Sequence, residues 1–156
     1  MHITLIQVGK TDESYLQEGI GKYLRRINRY VKFDVVTLPD VKGAKLTREK
    51  QKAQEGETIL SRIADGDILV LLDESGCEFS SLEYAGWLQK KMNAGTRRLC
   101  FAIGGPYGFS REVYARSNEM ISLSRMTFSH QLVRLVFAEQ LYRAFTILNN
   151  EPYHHP

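Results

Sequence analysis

Short apolar runs alternate with longer stretches of helical periodicity along the whole chain. Consecutive apolar residues are typical of strands that are buried on both faces, as in a parallel sheet. The runs ILVLL at 68–72 and LCFAI at 99–103 are the clearest examples. The predicted strands are 3–8, 33–38, 68–72, 99–103 and 120–123.

The segments between these strands carry apolar residues at helical spacing, and several begin with capping residues. Ser80 and Glu83 have the spacing of a capping box, and Glu49 suits the first turn of its helix. A turn is expected at DESG, residues 73–76. The predicted helices are 12–29, 47–64, 80–93, 110–118 and 129–148. This alternation predicts one α/β domain, a parallel sheet flanked by helices.

Composition agrees with a globular chain and narrows its chemistry only slightly. The 156 residues are 43% apolar and 25% charged, which suits one domain with a substantial core. A formal net charge of +3 is compatible with nucleic acid but does not indicate it. We therefore look for function in motifs rather than in bulk charge.

The two cysteines, Cys77 and Cys100, lack CxxC spacing and fit a reducing compartment. No His, Cys or Asp set has metal-ligand spacing, so we expect no metal. The apolar start is too short for a signal peptide, and no apolar run reaches membrane-spanning length. We therefore expect a cytoplasmic protein without a membrane partner.

Two segments near strand ends could hold a small ligand. Gly104 and Gly105 directly follow a buried strand and would let the backbone approach a ligand, although for an isolated glycine pair a tight turn is the more common explanation. The loop 123–128 mixes large apolar and hydroxyl residues that could hold an adenine ring. Its alternative explanation is a strand end followed by a helix cap at Thr127 or Ser129.

The last helix and the tail are the remaining candidates. The apolar residues of the helix spread over a wide arc, so it could pack on the sheet and on a second subunit. Arg143 on this helix could contact a phosphate or stabilise an oxyanion. The tail YHHP at 153–156 would ordinarily be regarded as a frayed terminus.

Several motifs taken together resemble the RlmH family of SPOUT methyltransferases. They are GGPYG at 104–108, LSRMTFSH at 123–130, LVR at 132–134, EQLYRAF at 139–145 and PYHH at 152–155. The similarity extends to VGK at 8–10 and LLDESG at 71–76, so it covers essentially the full chain. Here His155 and Pro156 end the chain where relatives usually carry a basic residue.

The resemblance implies a SPOUT fold, in which the C-terminal segment threads into a trefoil knot, and an obligate homodimer. Pattern alone could not indicate a knot, because ordinary topology rules exclude it. The implied cofactor is S-adenosyl-L-methionine, and the implied substrate is N3 of a pseudouridine in the helix 69 loop of 23S rRNA on the assembled ribosome. The family's active site is completed by the partner chain.

Carried over by position, the family's functional residues fall into two groups. The implied catalytic residues are Arg143, Tyr153 and His154. The implied cofactor contacts are Leu72, Gly104, Leu123, Ser124, Arg125, Met126, Thr127 and Phe128. The N3 proton would pass to His154, or nearby cations would stabilise the anion. The alternatives are a SPOUT-type tRNA methyltransferase and a non-catalytic α/β nucleotide-binding module.

Overall fold

A computed structural model describes residues 1–41 and 46–156 of the chain. Within these residues five strands form one parallel sheet in the order β2-β1-β4-β3-β5. The strands are β1 (His2–Val8), β2 (Lys32–Leu38), β3 (Ile68–Glu78), β4 (Arg98–Ile103) and β5 (Glu119–Ser122). The predicted parallel sheet is therefore confirmed.

Five helices connect or follow the strands, and their caps explain where they begin. Thr47 accepts a hydrogen bond from the Lys50 N–H at 3.2 Å, and Ser80 with Glu83 forms the predicted capping box. The described helices are α1 (Ser14–Ile27), α2 (Arg48–Leu60), α3 (Ser81–Asn93), α4 (Arg111–Arg116) and α5 (Leu132–Leu148).

Alternate residues of the central strands enter two separate cores, one on each face of the sheet. Phe101 of β4 packs with residues of α1, α3 and α5, whereas its neighbour Ala102 packs with residues of α2 and α4. Both residues are fully buried. Burial on both faces accounts for the unbroken apolar runs of the sequence and confirms the helix-covered sheet.

The turn predicted at 73–76 is wrong, because β3 continues through this segment. The pairing of β3 with β5 shifts between Leu72 and Cys77, and Cys77 then pairs with Ile121. A Cβ on Gly76 would lie 2.6 Å from the backbone nitrogen of Ile121. Glycine here thus permits a close approach between two strands, which the sequence pattern cannot distinguish from a turn.

The start of α5 also differs slightly from the prediction. The helix begins at Leu132 instead of residue 129, and the hydroxyl of Ser129 accepts a hydrogen bond from the Leu132 N–H at 3.0 Å. Of the two proposed caps, Ser129 is therefore the one that bonds the first residue of α5, while Gln131 directly precedes the helix. Thr127 bonds elsewhere, to the carboxylate of Glu74 at 2.8 Å.

Arg134 ties α5 to the end of β1. Its side chain is 1% exposed and donates to the Val8 carbonyl at 2.7 Å and to the Thr11 hydroxyl at 2.9 Å. Its Nε has no partner among the described residues. Burial lowers the pKa of this guanidinium, which forms no ion pair within the described part of the chain.

None of the described helices is both long and apolar enough to span a membrane. Cys100 is buried in the sheet and Cys77 is exposed. The α/β architecture predicted from the sequence is confirmed, whereas the trefoil knot stays a prediction.

Candidate functional site

The carboxyl ends of β4, β3 and β5 lie side by side at one edge of the sheet, where open parallel sheets bind small ligands. A cavity of about 500 Å³ opens at this edge, a volume within the range of small-molecule sites. Seven of the eight predicted cofactor contacts line it: Leu72, Gly104, Leu123, Ser124, Met126, Thr127 and Phe128.

Glycine shapes the wall of the cavity after β4. The Gly108 N–H donates to the Gly105 carbonyl at 3.1 Å, and Gly108 has φ 81°, a left-handed conformation that favours glycine. A Cβ on Gly104 would lie 3.3 Å from the carbonyl atoms of Gly108. The turn thus exposes backbone to the cavity and leaves little room for a side chain.

Hydrogen bonds within and around the loop 123–128 hold its shape. The Ser122 hydroxyl donates to the Ser124 carbonyl at 2.9 Å, and the Ser124 hydroxyl accepts from the Met126 N–H at 2.9 Å. Arg125 does not line the cavity. Its side chain is 85% exposed and lies 3.4 Å from Glu78 Oε1 on β3.

Two carboxylates that the sequence analysis missed line the cavity beside Leu72. Asp73 accepts from the Tyr114 hydroxyl at 2.5 Å and from the Ser75 N–H at 2.9 Å. Burial alone would raise the pKa of Asp73, but these hydrogen bonds outweigh it and hold the pKa below its usual value. Glu74, the second carboxylate, bonds Thr127. Their position directly after the predicted strand 68–72 was the available signal, but these residues were expected to form a turn.

A third carboxylate lies behind the glycine turn. Glu55 of α2 is 4% exposed, and its Oε1 accepts from the Gln51 side chain at 3.2 Å. A Cβ on Gly105 would lie 2.6 Å from Glu55 Oε2, so the carboxylate packs directly against this turn. Burial raises the pKa of Glu55, while the bond from Gln51 and the nearby His130 oppose the shift.

The three predicted catalytic residues lie together at the other end of α5. Together with Glu139 they form what we call the tail cluster (Glu139, Arg143, Tyr153 and His154). Arg143 donates to Glu139 Oε1 at 2.6 Å and to His154 Nδ1 at 3.2 Å, and its guanidinium lies 4.7 Å from the centre of the Tyr153 ring. Tyr153 donates to the same Glu139 oxygen at 3.1 Å. Glu139 raises the pKa of Arg143 further.

The tail is docked on the protein and is not frayed up to His154. The Glu151 N–H donates to the Thr146 carbonyl at 2.9 Å, and its carboxylate accepts from the Tyr30 hydroxyl at 2.5 Å. The Tyr153 ring packs on Tyr142 with centroids 4.8 Å apart. The last two residues, His155 and Pro156, are exposed.

Within one chain, the cavity and the tail cluster do not meet. Val133 lines the cavity, and Arg143 lies ten residues further along the same helix. At a rise of 1.5 Å per residue the two positions are separated by roughly 15 Å. The chain therefore brings each predicted group together internally but keeps the two groups apart. The described residues include no cluster of three or more His, Cys, Asp and Glu that could hold a metal ion.

Several named proteins are similar to this chain over nearly its whole length. A protein of Parabacteroides distasonis called ribosomal RNA large subunit methyltransferase H is 54% identical over 156 residues, covering 99% of each chain. Proteins of the same name from Christiangramia forsetii and Porphyromonas gingivalis are each 56% identical over 156 residues, again with 99% coverage of each chain.

A solved structure supports the fold independently. A probable methylase family protein from Haemophilus influenzae superimposes with a TM-score of 0.50 at 14% identity, over 95% of this chain and 66% of that one. This chain thus spans just under two thirds of that protein. The family model described as predicted SPOUT methyltransferase matches residues 1–154. With nearly the whole length matched, the chain belongs to the SPOUT methyltransferase family.

Proposed function

We propose that this protein transfers a methyl group from S-adenosyl-L-methionine to N3 of a pseudouridine in the helix 69 loop of 23S rRNA, on the assembled ribosome. The observation that carries the proposal is the 54–56% identity, over essentially full length, to proteins named for methylation of large-subunit ribosomal RNA. The whole chain would act as one SPOUT domain, in the cytoplasm.

The cavity suits the proposed methyl donor. Its volume of about 500 Å³ matches a nucleoside-sized ligand, and the exposed backbone at Gly104 allows a flat ring to approach closely. Asp73 and Glu74 complement the net positive charge of a sulfonium compound. When bound, S-adenosyl-L-methionine would supply a methyl group that is already activated, and the loop 123–128 would orient it.

The tail cluster would assist the loss of the N3 proton. An arginine side chain can only donate, so the contact between Arg143 and His154 requires the imidazole Nδ1 to accept. Neutral His154 then carries its proton on Nε2 and presents a donor. This geometry favours the second of the two chemical routes, in which Arg143 and His154 stabilise the anion that forms when the N3 proton leaves to water.

A homodimer would join the two groups of residues. The cavity and the tail cluster lie about 15 Å apart along α5, so a partner helix packed in the opposite direction would bring the tail cluster of one subunit to the cavity of the other. Light scattering should report about twice the mass of one chain at assay concentration. A fully active monomer would contradict this arrangement.

The decisive assay offers a labelled methyl donor with intact ribosomes, separated subunits and tRNA in parallel. Label in 23S rRNA of intact ribosomes, located at N3 of a pseudouridine, supports the proposal. Label in free tRNA would favour a SPOUT-type tRNA methyltransferase instead. Donor binding with no transfer to any of these RNAs would favour the non-catalytic nucleotide-binding module.

A further inference from the structure

An exposed tyrosine and an arginine lie together at the rim of the cavity. Tyr107 occupies the tip of the glycine turn, between the lining residues Pro106 and Gly108, and is 43% exposed. The guanidinium of Arg48, in the first turn of α2, lies 5.1 Å from the centre of the Tyr107 ring. Neither side chain belongs to the two cores.

The contacts of this pair do not explain it as part of the fold. The Tyr107 hydroxyl makes no hydrogen bond to another side chain or backbone group within the described residues, and Arg48 forms no ion pair there. By contrast Tyr114, a second tyrosine of this region, donates its hydroxyl to Asp73. The Tyr107 ring and its guanidinium neighbour therefore remain available for a partner.

The geometry points to a nucleobase platform: we propose that Tyr107, backed by Arg48, stacks an unpaired base of the RNA substrate beside the target nucleotide. Single-stranded RNA is recognised mainly by unstacked bases that pack on aromatic rings and guanidinium planes. This inference rests on the proposed function, because it assumes that the target nucleotide is held at the mouth of the adjacent donor cavity.

The charges around the cavity favour a base over a phosphate as the group bound at the rim. Asp73 and Glu74 line the cavity and would repel phosphate, whereas an aromatic face accepts any base. Arg48 lies on the α2 side of the turn. Its guanidinium could contact both the stacked base and the phosphate of that same nucleotide.

The test is single-turnover methylation of ribosomes at saturating donor, measured against ribosome concentration for Tyr107→Ala. We expect the half-saturating concentration to rise about tenfold or more, on the scale of losing one base-stacking contact. Calorimetry should find donor affinity within about twofold of the wild-type value, since the substitution removes no cavity-lining group. Tyr107→Phe keeps the ring and should recover most of the loss. Leu82→Ala, at an exposed apolar position on α3, is the matched control.

Three results would overturn the platform. They are an unchanged half-saturating concentration for Tyr107→Ala, an equal loss for Tyr107→Phe, and an ultraviolet cross-link from Tyr107 to a ribosomal protein in place of an RNA nucleotide. Co-sedimentation of each variant with ribosomes measures ribosome binding independently of methyl transfer. If wild-type protein binds ribosomes through Tyr107 but methylates nothing, the proposed function fails, and only the stacking contact between Tyr107 and an RNA base is supported.

Discussion

Replacing Arg134 by lysine should destabilise the protein more than replacing it by methionine, although lysine keeps the charge. Arg134 is 1% exposed, and its hydrogen-bond acceptors within residues 1–41 and 46–156 are both neutral, the Val8 carbonyl and the Thr11 hydroxyl. A buried cation without a carboxylate partner depends on its hydrogen bonds to offset desolvation.

Methionine removes the charge and fills much of the volume. The main loss is the hydrogen bond to the Val8 carbonyl. Leaving this buried acceptor without a donor should lower the free energy of unfolding by about 2 kcal/mol. The hydroxyl of Thr11 is only half-buried and can bond water instead. Removing the partnerless Nε offsets part of the loss. We therefore expect a deficit of about 2 kcal/mol or slightly less for Arg134→Met.

Lysine lacks the guanidinium fork that reaches both the Val8 carbonyl and the Thr11 hydroxyl. Its buried ammonium group must therefore either stay charged or lose its proton. An unperturbed lysine has a pKa of about 10.4, so neutralising it at pH 7 costs roughly 3.4 times 1.36, or about 4.6 kcal/mol. At pH 9 the same cost is about 1.9 kcal/mol. Burial puts the folded pKa of this lysine below the unfolded one, so the variant gains stability as pH rises towards about 10.

Urea unfolding of both variants at pH 7 and pH 9, followed by the fluorescence of the single tryptophan, Trp87, measures these differences. All samples need the same chain concentration, because a dimer is stabilised by mass action. The loss of unfolding free energy relative to wild type should be larger for Arg134→Lys than for Arg134→Met at pH 7. For Arg134→Lys this loss should become smaller at pH 9. Equal deficits at pH 7, or a lysine deficit independent of pH, would refute this account of a desolvated cation.

Three further predictions concern the candidate site. His154→Ala, or deletion of 153–156, should lower single-turnover ribosome methylation by roughly 10²-fold while donor affinity stays within about twofold; full-rate methylation would remove the tail from the mechanism. Gly104→Val should abolish donor binding, because its Cβ already meets the Gly108 carbonyl at 3.3 Å; calorimetry with unchanged affinity would contradict the assigned site. Burial raises the folded pKa of Glu55, so wild-type stability should fall as pH rises from about 4 towards that pKa. In urea unfolding, Glu55→Gln should lack this fall in the free energy of unfolding. If the free energies of wild type and variant depend on pH in the same way, Glu55 is not a buried carboxylate with a raised pKa.

The sequence predicted the sheet well because burial on both faces leaves a direct mark on the strands. Every predicted strand core appears in the structure, and the capping box at Ser80 and Glu83 forms as expected. The segment 73–76 was misread, because glycine serves both turns and close strand contacts. Gly76 takes the second role, against the backbone of Ile121.

The candidate site was only partly predictable for a different reason. The glycine turn and the loop 123–128 lie next to strand ends, so local order along the chain was enough to propose them. Glu139 lies four residues before Arg143 on α5, a helical spacing that the sequence does show. Glu55 lies on α2, and only tertiary packing brings it to Gly105. Residues that act through contacts distant in sequence leave no local pattern to read.

The distance between the cavity and the tail cluster has a genetic consequence. Suppose that each active site combines the cavity of one subunit with the tail of its partner. A Gly104→Val chain then has a damaged cavity and an intact tail, whereas a His154→Ala chain has an intact cavity and a damaged tail. Mixed dimers of the two would then contain one intact site, so equal co-expression should restore about a quarter of wild-type sites, whereas either variant alone is inactive. Two damaged copies could thus restore methylation that neither supplies alone.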